Sequence, residues 1–454
     1  MKEHKFTMKS TKILGVILSV FSCFTFSYGQ LELTAEEAVM KALENNYQVQ
    51  IAEKQIAIAE KNNKWSEAGA FPTVDLTAAL GNSIIDNTNN PFTFTPGLIQ
   101  SNQITPGLSA NWNIFTGMGV SINKRRLSQL EEQSRGNGML ILENTAHDVL
   151  KAYYDVVLQQ HRLNVLRELH RFSEEQSSYE EKKQDFGQSN SLAVFQLRNQ
   201  LFTDSLNMLQ QEIVCENAKR NLLLLMNVEQ EVLEGPVAIK LKDSLNMVLN
   251  TLDKNKVLEE MKQNNQNLKN QYINLELQKT TTDLQKSFLY PVVSLQLGVN
   301  PNVGYFSSLS DNNLSARTQQ VTYFGNINVR YSLFNNWKDK RAVAVSRIQE
   351  DIAEMNVSEL EKQLTVNALN LIRQYEIRSR LVAIASKNAA YAQMAYEVGR
   401  ERYELGALNS IELAQLQNAY LNAKFEYYNT LHQRIEIYLE LYKLTGKLQL
   451  IYTT

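Results

Sequence analysis

The sequence predicts a mainly helical α+β protein made from two copies of one unit, and three observations carry that prediction. Its 454 residues hold seven prolines, at 72, 91, 96, 106, 236, 291 and 301, so residues 30–71, 107–235 and 302–454 have none. An interior proline costs a helix ~3 kcal/mol. Proline-free lengths with apolar residues every three or four positions therefore predict long helices. Beside the prolines the period changes to two, which predicts strands with one apolar and one polar face. The two halves superpose at a constant shift of 219 residues, which predicts a duplication.

Composition narrows the class. A hydrophobic content of 43% and a charged content of 21% exclude a disordered chain. The net charge of −2 gives nothing that points to nucleic acid.

Residues 1–29 read as a secretory signal peptide. Lysines at 2, 5, 9 and 12 precede an apolar run from Ile13 to Phe26, and Ser27-Tyr28-Gly29 offers small residues for cleavage. The run is too short and wrongly flanked for a membrane span. Met8 is a second candidate start. Cleavage removes four lysines and one glutamate and takes the net charge from −2 to −5. Cys23 after Ser22 is a candidate lipid-attachment position, against which stands the bulk of Phe21. Cys215 is the other cysteine, expected as a small core residue, so the mature chain has no internal disulfide. No later apolar run reaches the ~20 residues of a transmembrane helix.

The first repeat is read as 30–225, a connector with Gly235-Pro236 as 226–256, and the second repeat as 257–454. Each repeat runs helix, strand, long loop, strand, very long helix, glycine turn, returning helix. Thr34 and Glu37 form a capping-box pair at the start of the first helix. Asn45-Asn46 fall on Asn264-Asn265 at the shift of 219. In the first strands Pro72, Val74, Leu76, Ala78 and Leu80 fall on Pro291, Val293, Leu295, Leu297 and Val299. In the second, Leu108, Ala110, Trp112 and Ile114 fall on Ile327, Val329, Tyr331 and Leu333, and 325–334 is read as strand. The helix from about 117 to 186 spans ~105 Å at 1.5 Å per residue, with Gly136 and Gly138 as expected bends. Leu413, Leu416, Tyr420, Ala423, Tyr427, Leu431, Ile435, Tyr438 and Tyr442 step by three or four, a coiled-coil-like seam.

The glycine turns share one pattern. Gly187, Asn190, Ser191, Gln196, Leu197 and Asn199 match Gly406, Asn409, Ser410, Gln415, Leu416 and Asn418. A glycine just past a helix end terminates it, and an asparagine three residues on caps the next helix. The two stretches are read as tips of helical hairpins.

Four strands near the ~9–11 residues that cross a bilayer at a tilt pose a closure problem. A spanning sheet cannot leave an open edge in hydrocarbon, and the smallest barrels have about eight strands. Several chains must contribute. Trp112, Tyr290, Tyr331 and Trp337 are candidates for the barrel's aromatic bands. A soluble sandwich would show the same alternation, but the signal peptide and the long attached helices favour the barrel.

Over residues 31–450 the chain resembles the outer-membrane efflux protein family, the TolC-like channels. The motifs are LTAEEAVMKALENN at 33–46, AFP and LYP at the strand starts, NIFTG at 113–117 and RYELGALNSIELAQLQNAYLNA at 402–423. The resemblance implies a homotrimer whose 12-stranded barrel in the outer membrane continues as an α-helical coiled-coil tunnel across the periplasm. It implies tips that meet a periplasmic adaptor (membrane fusion) protein, and an inner-membrane pump of the proton-driven RND or ATP-driven ABC type. Gly187, Asn190, Ser191, Gly406, Asn409 and Ser410 then form the docking tips. Of the family's gate, the tyrosine is matched by Tyr403 and the first constriction acid by Glu412, which could equally be a helix-N-terminal acid. The second acid's position holds Gln415, the gate arginine's holds Leu408, and the first repeat has Ala193 opposite Glu412.

No catalytic constellation competes. His147, His161, His170 and His432 are not paired at helical spacing, so no zinc motif exists, and no nucleophile elbow, phosphate loop or dinucleotide fingerprint occurs. No cofactor is expected. The run Glu180-Glu181-Lys182-Lys183 reads as solvated helix surface. The alternative is a soluble periplasmic coiled-coil scaffold of adaptor type. Drug, metal ion, metabolite and secreted protein all stay open as cargo, the last through type I secretion.

Overall fold

The computed structural model describes residues 31–93, 96–228, 239–245, 253–309 and 315–452. The signal peptide with Cys23, and Gly235-Pro236 of the connector, lie outside the described residues. The chain is mostly helical with a small sheet, and the duplication reappears in the limits of its elements. Helices α1 (Ala35–Asn45) and α5 (Lys254–Asn264) correspond at 219, as do α3 (Gly119–Asp185) and α7 (Lys338–Glu404), each of 67 residues. The returning helices α4 (Ser191–Leu225) and α8 (Ser410–Leu444) have 35 residues each.

The first helix of each repeat, expected as one, is two. Asn46 and Asn265 have extended backbone and start α2 (Tyr47–Asn62) and α6 (Gln266–Ser287). Asn46 Oδ1 accepts from Gln48 N at 2.8 Å, and Asn265 Oδ1 from Leu268 N at 3.0 Å. Each also donates to the end of its repeat's returning helix, Asn46 to Leu225 O at 3.4 Å and Asn265 to Leu444 O at 2.9 Å. One side chain thus caps a helix start and satisfies a helix-end carbonyl. The capping box at Thr34 and Glu37 is formed.

Strands β2 (Thr73–Asp86), β3 (Leu98–Thr116), β5 (Val292–Ser308) and β6 (Ser315–Arg330) make one antiparallel sheet in the order β2-β3-β5-β6. They have 14, 19, 17 and 16 residues, longer than a bilayer crossing needs. β6 stops at Arg330, not 334, because Arg330 pairs with Val292, where β5 begins. Pairing between β3 and β5 lapses between Ile104–Val303 and Leu108–Val299. By that register Pro106 and Pro301 stand opposite each other, and neither has an N–H to give. Val74, Leu76, Leu80, Tyr323, Ile327 and Val329 stand exposed on one face. Trp112, Tyr290, Tyr331 and Trp337 gather at the sheet's helix-side end, also exposed.

Each second strand turns into its long helix through two consecutive left-handed residues, Gly117-Met118 (φ 62° and 68°) and Asn336-Trp337 (φ 55° and 61°). α3 runs unbroken through Gly136 and Gly138, the expected bends. Their role is close approach: a Cβ at Gly136 would collide with the Asn270 amide, and one at Gly138 would lie 2.8 Å from Ile56 Cδ1. The main core lies midway along the helices, where Ala146–Leu158 of α3 meets α1, the end of α4 and Leu431–Leu439 of α8. There the parallel pair β1 (Leu31–Leu33) and β4 (Ile239–Leu241) is clasped to α3. The buried Tyr153 hydroxyl donates to Leu33 O at 2.9 Å and accepts from Asp243 N at 3.3 Å. Cys215 is a free, buried thiol, as expected. The α8 seam is buried or half-buried along its length.

Candidate gate and docking tips

Both tips are built alike. Gly187 and Gly406 each have φ +72°, a left-handed conformation that glycine adopts without strain. Gly187 N donates to Gln184 O (2.9 Å) and Gln188 N to Lys183 O (2.7 Å); Gly406 N donates to Tyr403 O (3.0 Å) and Ala407 N to Arg402 O (2.8 Å). This is the Schellman arrangement, which satisfies carbonyls at the helix end. Asn190 Oδ1 then accepts from Ala193 N, and Asn409 Oδ1 from Glu412 N, both at 2.9 Å. Ser191 Oγ accepts from Gln184 at 2.9 Å, and the Ser410 hydroxyl donates to Gln196 Oε1 at 2.8 Å, tying one tip to the other. Phe186 and Leu405 project from the tips with 80% and 83% of their surface exposed.

Sequence reasoning missed Glu180. The run to which it belongs is not uniformly solvated surface: Glu180 is buried below the tips, 7% exposed. Its carboxylate accepts from the Ser189 hydroxyl and, at 2.7 Å, from the hydroxyl of the buried Tyr403. Burial, and then the hydrogen bond to Glu180, raise the Tyr403 hydroxyl above its ordinary pKa. The Lys183 ammonium lies 4.5 Å from the Tyr179 ring centroid and 5.7 Å from that of Tyr403. Glu181 pairs outward with Arg198 at 2.7 Å. The only signal in the sequence was position, since 180 is seven residues before the tip glycine. One charged run cannot tell which member turns inward.

Glu412 has an occupation of its own. Its Oε2 accepts from Asn409 N at 3.1 Å, closing a capping box at the start of α8. Gln415 is exposed one turn further on. Deeper in, the buried Asp204 carboxylate accepts from the Ser173 hydroxyl, from Gln417 at 2.8 Å and from Gln200 at 2.9 Å. Gln417 and Asp204 join α8 to α4, and Ser173 joins α3. Tyr403, Glu180 and Ser189 are therefore one cluster, Ser410 and Gln196 a second link, and Glu412 and Gln415 stand apart from both.

Two long helical hairpins on a sheet with an apolar outward face define a membrane-inserted protein with a long extension beyond the bilayer. The model of the outer membrane efflux protein family matches residues 38–228 and 257–447, one match per repeat, and the chain belongs to that family. Its place is the outer membrane, with a periplasmic extension, and the family is one of efflux channels, not of enzymes. Among solved structures it is similar to the Campylobacter jejuni CmeC outer membrane channel, at 16% identity, with TM-score 0.73 over 91% of this chain and 86% of that one. It is similar as well to the outer membrane protein VceC of Vibrio cholerae, with 12% identity, TM-score 0.70, and 91% and 96% of the chains covered. For the open state of the Neisseria gonorrhoeae MtrE outer membrane channel the values are 15%, 0.67, 91% and 89%. No curated protein matches the chain's sequence.

Proposed function

We propose that three copies of this chain close a 12-stranded barrel and a helical tunnel, forming the exit duct of a tripartite efflux system. Cargo is delivered by an inner-membrane RND or ABC pump through a periplasmic adaptor seated on the tips. The observation that carries the reading is the pair of open edges on β2 and β6 of a four-stranded sheet with an apolar face. In a bilayer those edges must be paired, and the chain has no further long strand among the described residues. Two exposed apolar seams support it: Phe195, Phe202, Leu206, Leu209 and Ile213 on α4, and Val345, Ile348, Ile352 and Met355 on α7. Both step by three, four or seven, the spacing of helices that expect a helical partner.

The repeat also supplies the seam's register. β3 and β5 pair Leu108 with Val299; shifted by 219, the same relation pairs Ile327 of β6 with Leu80 of β2 in the next copy. The tips act as both docking surface and gate, with Tyr403 and Glu180 holding the α7–α8 hairpin to the α3–α4 hairpin in the closed state. The deciding experiment is the mass of the detergent-extracted protein with bound detergent subtracted. Three chains are expected; a soluble monomer would overturn the duct and leave the scaffold reading. Type I secretion uses the same duct, and cargo identity separates the two uses. Replacing Gly187 and Gly406 together with glutamate should abolish export while trimers stay in the membrane. Intact export would remove the tips from the mechanism.

A further inference from the structure

Followed across the sheet by its register, the outward face is a stack of rows. The row through Leu80, Ile104 and Val303 is apolar on three strands. The next row away from the helices is Asn82, Asn102, Tyr305 and Arg317. Asn82 donates to the Asn102 side-chain oxygen. A shallow cavity of about 500 Å³ opens over these two rows, with Arg317 in its wall.

Charge makes the row distinctive. The four strands carry four charged residues, Asp75, Asp86, Arg317 and Arg330. Alternation puts Asp75 and Arg330 on the polar face, so Arg317 is the one cation on the outward face. It is exposed and makes no ion pair or hydrogen bond among the described residues. Asp86 stands at the end of β2, four residues beyond Asn82, and its carboxylate accepts from Thr88 N at 2.9 Å. The seam register leaves Arg317 level with residue 90, past the end of β2, so the neighbouring β2 offers it no carboxylate.

Height identifies the partner. The apolar outward positions of β5 run from Val293 to Val303, ten steps, or ~33 Å of strand. At a tilt of ~40° that is ~25 Å, the height of a barrel's apolar band. Arg317 lies one row above it, on the side away from the periplasmic helices. That is the level of outer-leaflet headgroups.

We propose that Arg317 and Tyr305, on adjacent strands, bind the phosphate of an anionic outer-leaflet lipid, that Asn102 and Asn82 meet the rest of its headgroup, and that its acyl chains lie against Leu80, Ile104 and Val303. A guanidinium and a phenol supply charge-assisted and neutral hydrogen bonds to phosphate oxygens, and the two amides bond headgroup hydroxyls. The surface below is apolar, as chains require. This site rests on the barrel reading above, because only a membrane-inserted sheet brings the row to that level.

Native mass spectrometry of the full-length, detergent-extracted protein tests it, with diphosphoryl lipid A, phosphatidylglycerol and phosphatidylcholine as probes. The two anionic lipids should be retained and phosphatidylcholine should not. Arg317→Gln should lower retention about tenfold, and Arg317→Lys should restore part of it. Excess inorganic phosphate should not displace the lipid. Equal retention by Arg317→Gln, equal retention of phosphatidylcholine, or displacement by free phosphate would each overturn the site. The same spectra report the number of chains, so failure of the trimer is read separately from failure of the lipid site.

Discussion

Glu412 serves two ends with one carboxylate. Its capping box with Asn409 is a local stabiliser, and its exposure at a tip leaves it free to act on ions. The two roles come apart in substitution. Glutamine can still accept from Asn409 N, so Glu412→Gln should keep the melting temperature and change cation block in planar-bilayer conductance. Glu412→Ala should also lose about 1 kcal/mol of stability. Unchanged block in both variants would leave only the cap. Tyr403→Phe removes the donor to Glu180 and leaves a buried carboxylate one hydrogen bond short, at a cost of about 1–3 kcal/mol. We expect larger or more frequent openings in single-channel records; a record like that of the unmodified channel would make the pair structural.

Elements were the most legible scale. Proline spacing and apolar period marked the long helices and the helix-side parts of the four long strands, because both rules act locally; the far parts, such as 301–308 of β5 and 315–324 of β6, fell in what was read as a long loop. Three further features escaped. The break at Asn46 and Asn265 was visible as a repeated Asn-Asn pair, but its purpose involves a carbonyl 179 residues away. Gly136 and Gly138 looked like bends, and only the packing of α2 and α6 reveals them as contact points. The lapse opposite Pro106 and Pro301 needs the register of two strands from different repeats. Asn265→Ala should destabilise the second repeat by about 1–2 kcal/mol, seen as a lower thermal midpoint. Asn227, more exposed, has φ +48° and an amide that reaches Asn45 O at 2.8 Å, so Asn227→Gly, which removes the amide and keeps the left-handed backbone, should cost less.

At the scale of the whole molecule, the proposed seam between copies sets β6 of one chain against β2 of the next. Cysteines at Leu80 and Ile327 should crosslink under mild oxidation into a ladder ending at three chains. Each single variant should stay uncrosslinked, and a double variant that also stays so would refute the register. The site was less legible than the fold for a physical reason. Tips announce themselves through glycine and asparagine, which obey backbone rules. The contact between Tyr403 and Glu180 joins helices 223 residues apart in sequence, and no local pattern encodes it.

The equal helix lengths carry a constraint on change. With α3 and α7 at 67 residues and α4 and α8 at 35, both hairpin ends finish level. An insertion of one turn in a single arm would push its end ~5.4 Å past its twin, and the rim would no longer be flat. Any lengthening of this protein therefore has to be written twice, once in each half, before it can be kept.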